Sequence, residues 1–239
     1  MNYSNIEYRY NRIMEESSRH TIKHMSDIQH VFYINLDHRT DRKDHVEEQL
    51  RLIGIHNERI QRFPACKLTN GALGCSMSHM KCVQIAKEKG WSHVLICEDD
   101  IQCLQPFLLQ NQLNTFLSTY KTDDWDVLLL AGNNMIPYEK PTSYCIQIHH
   151  CLTTTCYLVQ SHYYDTLIEN YRSGIQKLIK SPELKQFYAI DKYWISLQEK
   201  DRWFLLIPLT IIQREDYSDI EKKTTNFSKY MLDYNKAYK

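Results

Sequence analysis

The chain is 239 residues long, with 43% hydrophobic and 24% charged residues. These values are typical of a globular protein rather than a disordered one, and the length suffices for one substantial α/β domain. The 29 lysines and arginines balance the 29 aspartates and glutamates. The chain therefore lacks the basic excess of a nucleic-acid-binding protein, and we expect no nucleic-acid partner.

No stretch approaches the roughly 20 apolar residues that span a bilayer, and residues 1–27 contain no apolar segment typical of a signal peptide. The eight cysteines include no Cys-x-x-Cys pair, which favours buried thiols in a reducing compartment over disulfides. We therefore expect a cytoplasmic protein without a transmembrane segment.

The pattern of apolar residues predicts a polar helical extension over residues 1–27, followed by a single domain over residues 28–239. A buried strand is expected at 31–36, because this short apolar run is rich in β-forming residues. Thr40 and Asp41 offer the start of a helix that Gly54 ends. A weaker strand follows near residues 59–63.

The rest of the chain continues the alternation of strands and helices. The predicted helices are 76–89, 161–171 and 190–200, and the predicted strands are 94–97, 125–130, 145–148, 154–159 and 203–207. Such alternation indicates an α/β fold with a mostly parallel sheet flanked by helices. Because ligands bind beyond the carboxyl ends of the strands in such sheets, we expect the functional residues at those ends.

Glu98, Asp99 and Asp100 follow the predicted strand 94–97 directly. Three adjacent carboxylates repel one another at the mouth of an apolar sheet, and a divalent cation would remove that repulsion. Oxygen ligands suit Mg²⁺ or Mn²⁺. In an extended segment Glu98 and Asp100 face one side and Asp99 the other. An ordinary solvated acidic turn is the competing interpretation.

Two of the six glycines lie in the segment 70–74, just before a predicted helix. A tight turn that opens a helix exposes N–H groups suited to a diphosphate, although the spacing matches neither a P-loop nor a dinucleotide fingerprint. An ordinary loop-to-helix junction explains Gly74 equally well. Ser78 and His79, in the first predicted turn, could reach a substrate or serve only as structural hydrogen-bonding groups.

Asn35, Leu36, Arg39 and Arg42 stand at or just past the end of the first strand. A guanidinium pairs well with phosphate, although arginines on a helix surface are often only solvated. Asp191 stands at a predicted helix start, where it could be an ordinary first-turn acid or, held ionised by the helix, a catalytic base.

Taken in order, these segments resemble glycosyltransferase family 25, which contains lipooligosaccharide sugar transferases and collagen galactosyltransferases. The matching pieces lie in the segments 33–42, 71–79, 94–100, 124–130 and 208–220, together with the Thr-rich strand that ends at Tyr157 and with Asp191. They span roughly residues 30–220.

The resemblance implies a GT-A type fold and a hexosyltransferase that moves galactose or glucose from a UDP-sugar, with inversion, to a hydroxyl of a glycan or protein. It further implies Mn²⁺ or Mg²⁺ held by Glu98 and Asp100, where such enzymes carry an Asp-x-Asp motif. Because Glu replaces the first Asp of that motif, two roles stay open for Glu98: it could bind the metal, or it could contact ribose or water.

The resemblance also assigns roles to the other candidate residues. Asp191 occupies the family's later acidic position and is expected to be the general base. Donor binding is expected from Asp99 and from the residues at the two predicted turns, namely Asn35, Leu36, Arg39, Arg42, Gly74, Ser78 and His79. Two alternatives remain: a non-catalytic transferase-like protein that binds a glycan or partner, and a Mg²⁺-dependent phosphohydrolase with Asp99 as nucleophile.

Overall fold

A computed structural model of the chain describes residues 21–218 and 222–237. Twelve strands are assigned in this part of the chain: β1 Val31–Asn35, β2 Ile60–Pro64, β3 His93–Glu98, β4 Ile101–Cys103, β5 Val127–Asn134, β6 Tyr138–Glu139, β7 Cys145–Ile148, β8 Cys151–Gln160, β9 Trp203–Leu206, β10 Ile211–Gln213, β11 Asp216–Ser218 and β12 Lys223–Thr225.

The α-helices of the same residues are α1 Thr40–Leu52, α2 Gly71–Glu88, α3 Pro106–Thr119, α4 Tyr164–Lys180, α5 Lys185–Tyr188, α6 Ile190–Tyr193, α7 Ile195–Gln198 and α8 Ser228–Leu232. Single 3₁₀ turns lie at Met25–Asp27, Asn57–Arg59, Thr122–Asp124, Ser161–Tyr163 and Pro182–Leu184.

The central sheet has eight strands in the order β2-β1-β3-β8-β5-β9-β7-β6. Strands β1, β2 and β3 are parallel, and β8 runs antiparallel to both of its neighbours, β3 and β5. Since β9 is parallel to β5 while β7 reverses direction, six of the eight strands point the same way. The expected α/β fold with a mostly parallel sheet flanked by helices is confirmed.

One apolar core holds the sheet and its helices together. Strands β1, β3 and β5 are almost wholly buried, as expected for apolar runs in the centre of a sheet. The largest fully buried side chains include Trp125, Trp194 and Trp203, and the rings of Trp194 and Trp203 pack edge to face. This packing fixes the strand ends at which the acidic residues stand.

Several predicted boundaries differ from the structure. Helix α2 begins at Gly71, five residues earlier than expected, because the Asn70 side chain accepts a hydrogen bond from the Leu73 N–H and caps it. The predicted helix over 190–200 is divided into two single turns, α6 and α7. Helix α3 was not predicted, since its apolar residues are interrupted by Gln and Asn; proline stands at its start.

The domain reaches further towards the N-terminus than the expected boundary at residue 28. Ile22 and Met25 belong to the same buried core as Ile28, and the Met25 N–H donates to the Asn114 side chain of α3. Residues from 22 onward therefore pack with the domain. The rest of the predicted extension, residues 1–20, lies outside the described residues, as do Asp219 and Ile220 of the family-like segment.

None of the described helices is long and apolar enough to cross a membrane. The expected cytoplasmic location stays a prediction. All eight cysteines are free thiols, five of them buried and three half-buried.

Candidate active site

The acidic triplet lies at the mouth of the sheet and is shielded from solvent. Strand β3 ends at Glu98, Asp99 and Asp100 form a turn, and β4 begins at the next residue. Asp99 and Asp100 are only 7% and 5% exposed, and the Glu98 side chain is 23% exposed. The competing interpretation, a solvated acidic turn, does not fit this burial.

Asp99 is held by two residues of the first strand–helix unit. The Asn35 side chain at the end of β1 donates to Asp99 Oδ2 at 2.7 Å, and Arg42 Nη1 of α1 donates to Asp99 Oδ1 at 2.9 Å. Asn35 Nδ2 also donates to the carbonyl of Arg39, while its Oδ1 accepts from Arg62. Asn35 therefore orients Asp99 and fastens the loop that follows β1.

Asp100 keeps one carboxylate oxygen without a partner. Its Oδ2 accepts from Gln213 at 2.8 Å and from Arg42 at 3.3 Å. Its Oδ1 is buried and has no hydrogen bond within the described parts of the chain. Burial, followed by the negative charge of Glu98, raises the pKa of Asp100 to about 7. An unpaired buried carboxylate oxygen is the kind of donor that Mg²⁺ and Mn²⁺ accept, so the site fits a hard divalent cation.

Arg42 corrects two expectations about the triplet. It contacts both Asp99 and Asp100, so these side chains do not point to opposite sides; the strand ends at Glu98, and the turn breaks the alternation. Its charge also offsets part of the carboxylate repulsion that we assigned to a cation alone. Asp216 Oδ2 accepts a further hydrogen bond from Arg42 Nε at 3.0 Å.

Removing the Arg42 charge should strongly destabilise the fold. The Arg42→Met variant leaves Asp99 and Asp100 buried without their counter-ion, and we expect it to lower the free energy of unfolding by about 3–5 kcal/mol. Urea denaturation of the purified protein measures this loss. Arg51→Met, an exposed arginine of the same helix, is the matched control and should cost within about 0.5 kcal/mol. Equal losses in both variants would contradict the assignment.

Arg39 was predicted to seat a phosphate, and it lies beside Arg42 with its charge directed at carboxylates. It pairs with Asp41 at 2.9 Å and with Asp216 at 2.8 Å. Arg214 also contacts Asp216 Oδ2, at 3.1 Å, so that three guanidinium groups converge on one carboxylate oxygen. Burial raises the pKa of Asp216, but hydrogen bonds from the Tyr217 N–H and Arg42 outweigh it and the net pKa is lowered.

Glu98 contacts side chains of α2 and β8. Its Oε1 accepts a hydrogen bond from the Thr154 hydroxyl and lies 3.4 Å from His79 Nε2. Burial raises the pKa of Glu98, but the neighbouring His79 and the hydrogen bond from the Thr154 hydroxyl bring the net pKa below its ordinary value. Glu98 is therefore oriented by two neighbouring elements.

Ser78 and Gly74 build the wall of the site rather than present groups to it. The Ser78 hydroxyl accepts from the Cys66 N–H and donates to the Gly74 carbonyl, both at 2.8 Å. The Gly74 N–H donates to the Asn70 carbonyl, so the expected free N–H for a phosphate is already used. A Cβ atom at Gly74 would overlap the backbone carbonyl oxygen of Cys66. Helix α2 thus needs glycine there to approach the Cys66 segment.

We expect Gly74→Ala to lower the free energy of unfolding by about 1–3 kcal/mol, because backbone has to move to admit the methyl group. Chemical denaturation measures the loss. Unchanged stability would show that the Cys66 segment yields readily, and the close approach would then not explain the glycine.

Two cavities meet at the triplet. The smaller, about 170 Å³, is lined by Leu36, Arg39, Arg42 and all three acids. The larger, about 730 Å³, is lined by Glu98 and Asp191 among others. Cys75, Glu98, Gln213 and Ser218 line both cavities and form the boundary between them. Two substrates, one in each cavity, can therefore come together at Glu98.

Asp191 stands in the first turn of α6 and lines the larger cavity. Its Oδ2 accepts from the Thr153 N–H at 3.2 Å, and Thr153 has a φ of 70°, a left-handed conformation that is strained for a β-branched residue. We expected the helix start to keep Asp191 ionised. Burial instead raises the pKa of Asp191, because a single helical turn does not outweigh the loss of solvation. A carboxylate with a raised pKa is a stronger base.

Sequence reasoning assigned no role to five residues that shape this site: Cys75, Thr153, Thr154, Gln213 and Asp216. Gln213 reaches Asp100 because β10 pairs antiparallel with β4, which begins right after the triplet. Thr153 and Thr154 reach the acids because β8 lies between β3 and β5. Long-range strand pairing of this kind leaves no local signal, although the Thr-rich strand itself was noticed.

Comparisons with known proteins agree with this picture. The model of the family described as "Glycosyltransferase family 25 (LPS biosynthesis protein)" matches residues 61–198, more than half of the chain. A protein of Haemophilus influenzae that carries a glycosyltransferase name is 31% identical over 100 residues, which are 42% of this chain and 33% of that protein.

Two animal relatives extend the match. A glycosyltransferase 25 family member of Anopheles gambiae is 20% identical over 198 residues, 70% of this chain and 31% of its own. Procollagen galactosyltransferase 1 of Danio rerio is 31% identical over 131 residues, 53% of this chain and 20% of its own. The chain thus spans a third or less of the length of these relatives. The chain belongs to glycosyltransferase family 25.

Proposed function

We propose that the protein is a metal-dependent, inverting glycosyltransferase that moves a hexose, galactose or glucose, from a UDP-sugar to a hydroxyl of a glycan or protein acceptor. The observation that carries the proposal is the meeting of the two cavities at the buried acidic triplet. Family membership supports sugar transfer, and the name of the zebrafish relative supports galactose as one candidate sugar.

We assign the smaller cavity to the donor. Arg39 and Arg42 line it. Because Arg42 is engaged by Asp99, Asp100 and Asp216, we assign the phosphates of a nucleoside diphosphate to Arg39, in exchange for its exposed partner Asp41. Asp100, with its unpartnered oxygen, and Glu98 would hold Mn²⁺ or Mg²⁺ there. Such a cation, when bound, neutralises charge on the leaving diphosphate. Asn35 keeps Asp99 in place in the lining of the cavity, where Asp99 would accept a hydrogen bond from a hydroxyl of the sugar donor.

We assign the larger cavity to the acceptor. Asp191 lies on it, and its raised pKa suits a group that takes the proton from the acceptor hydroxyl as that oxygen attacks the sugar. The Thr153 N–H fixes the Asp191 carboxylate. Direct attack from the acceptor cavity on a donor in the smaller cavity inverts the anomeric carbon, because nucleophile and leaving group stand on opposite sides.

Measurement of UDP release tests the proposal. The purified chain is incubated with UDP-galactose, UDP-glucose and other UDP-sugars, with Mn²⁺ and, in parallel, with EDTA. We expect one donor to release UDP with Mn²⁺ and none to do so with EDTA. No release from any donor would favour a non-catalytic binding protein. In that case the ion pairs of Arg42 with Asp99 and Asp100 would explain the buried acids without a metal.

A further inference from the structure

A second cluster of ligand atoms shares Glu98 with the triplet. Cys75 and His79 stand one turn apart on α2, and Glu98 ends β3 opposite them. The Cys75 Sγ, a His79 ring nitrogen and a Glu98 carboxylate oxygen all lie within 4.8 Å of one another. Cys75 and Glu98 line both cavities, so the cluster is reached from either side.

The separation of His79 from Glu98 matches that of two ligands of a tetrahedral metal, and the separation of Cys75 from Glu98 is slightly longer. His79 Nε2 lies 3.4 Å and Cys75 Sγ 4.0 Å from Glu98 Oε1. Typical bond lengths of zinc to nitrogen, oxygen and sulfur place such pairs about 3.4 Å and about 3.6 Å apart in a tetrahedral site. A small rotation of the Cys75 side chain, which moves its Sγ by roughly a few tenths of an ångström, closes the remaining difference.

His79 is oriented as a metal-binding histidine is. Its side chain is 1% exposed, and within the described residues its Nε2 has no hydrogen-bond partner although it is aimed at the cluster. Its Nδ1 lies 2.8 Å from the hydroxyl of Tyr157, which also accepts a hydrogen bond from Tyr171. A hydrogen bond on the second ring nitrogen fixes the ring and directs the first nitrogen towards a metal.

We propose that Cys75, His79 and Glu98 form a binding site for Zn²⁺, with the fourth ligand position open to the cavities. Thiolate and imidazole ligands select zinc over magnesium and manganese, so this site differs in chemistry from the oxygen site at Asp100. Burial, followed by the charge of Glu98, raises the pKa of the Cys75 thiol, and a cation in contact with the sulfur would replace its proton. Glu98 is common to both sites.

Cobalt absorption spectroscopy tests the zinc site directly. The purified full chain is stripped of metal with EDTA and titrated with Co²⁺, which occupies zinc sites and gives a near-ultraviolet sulfur-to-cobalt absorption band only when a thiolate is bound. We expect one equivalent of Co²⁺ to produce this band and Zn²⁺ to abolish it. The absence of a thiolate band from the native chain would overturn the proposal.

Variants assign the band to the cluster. Cys75→Ser, which is nearly isosteric, should lose the band, and His79→Gln should weaken Co²⁺ binding at least tenfold. Cys66→Ser is the matched control, because this half-buried thiol lines the smaller cavity outside the cluster, and it should keep the band. A band that persists in Cys75→Ser, or disappears in Cys66→Ser, would overturn the proposal. Circular dichroism confirms that each variant is folded.

The outcome is independent of sugar transfer. Asp100→Asn should keep the thiolate band, since Asp100 is not part of the cluster, whether or not the variant transfers sugar. A native chain that transfers sugar with Mn²⁺ and lacks the band would refute the zinc site alone. A native chain that shows the band and transfers no sugar would refute the proposed enzyme alone.

Discussion

Asp100→Asn should reduce Mn²⁺-dependent sugar transfer about 10³-fold or more. The substitution removes the carboxylate charge at Asp100, whose Oδ1 is buried and has no hydrogen-bond partner within the described residues. A bound cation contributes several kcal/mol to the stabilisation of a transition state, and each 1.36 kcal/mol is worth about tenfold in rate. Initial rates of UDP release at saturating donor and Mn²⁺ measure the effect.

The fold should tolerate this substitution. Burial already disfavours the charged form of Asp100, and an amide oxygen can still accept from Gln213. The thermal midpoint should therefore stay at or above that of the native chain. Asp44→Asn, an exposed aspartate on α1, is the matched control and should keep the native rate. A rate for Asp100→Asn within threefold of native would refute the assignment of the metal to this residue.

Asp191→Asn should lower kcat for transfer to the acceptor about 10²–10⁴-fold, the usual contribution of a general base. The amide can still accept the hydrogen bond from the Thr153 N–H, so the loop and α6 should keep their positions. Because Asp191 lies on the larger cavity only, the KM for the UDP-sugar should change less than threefold. Steady-state kinetics with both substrates varied separate the two constants.

The same variant distinguishes a base from a binding residue. If Asp191 only binds the acceptor, its loss should raise the acceptor KM and leave kcat near the native value. Asp165→Asn, an exposed acid on α4 with a 76% exposed side chain, should change neither constant. Slow hydrolysis of the donor by water should persist in Asp191→Asn and be lost in Asp100→Asn.

The sequence predicts most of the sheet because its strands are short apolar runs. Residues 31–36, 94–97 and 203–207 were predicted as strands and correspond to β1, β3 and β9 within one residue at each end. Helix boundaries were less accurate. Helix α2 begins at Gly71 because Asn70 caps it, whereas glycine in this position suggested a loop. The direction of β8 could not be predicted, since strand order is decided by contacts distant in sequence.

The sequence analysis identified the acidic residues of the candidate site but not the residues that pair with them. Glu98, Asp99, Asp100 and Asp191 all line the two cavities or the boundary between them. The sequence analysis assigned Arg42 to binding of the sugar donor and missed that its charge neutralises Asp99 and Asp100. This pairing depends on the folded position of α1, which the sequence does not reveal. Gln213 was missed for a related reason, since only the β4–β10 pairing brings it to Asp100.

The shared boundary between the cavities couples the proposed donor and acceptor sites of this chain. Among the described residues only Cys75, Glu98, Gln213 and Ser218 line both spaces, so a change in any of them alters both cavities at once. Leu36 and Phe227, by contrast, each line one cavity. If the cavities hold donor and acceptor as proposed, new preferences for either substrate should arise by drift at the outer walls, while the boundary stays under joint selection from both.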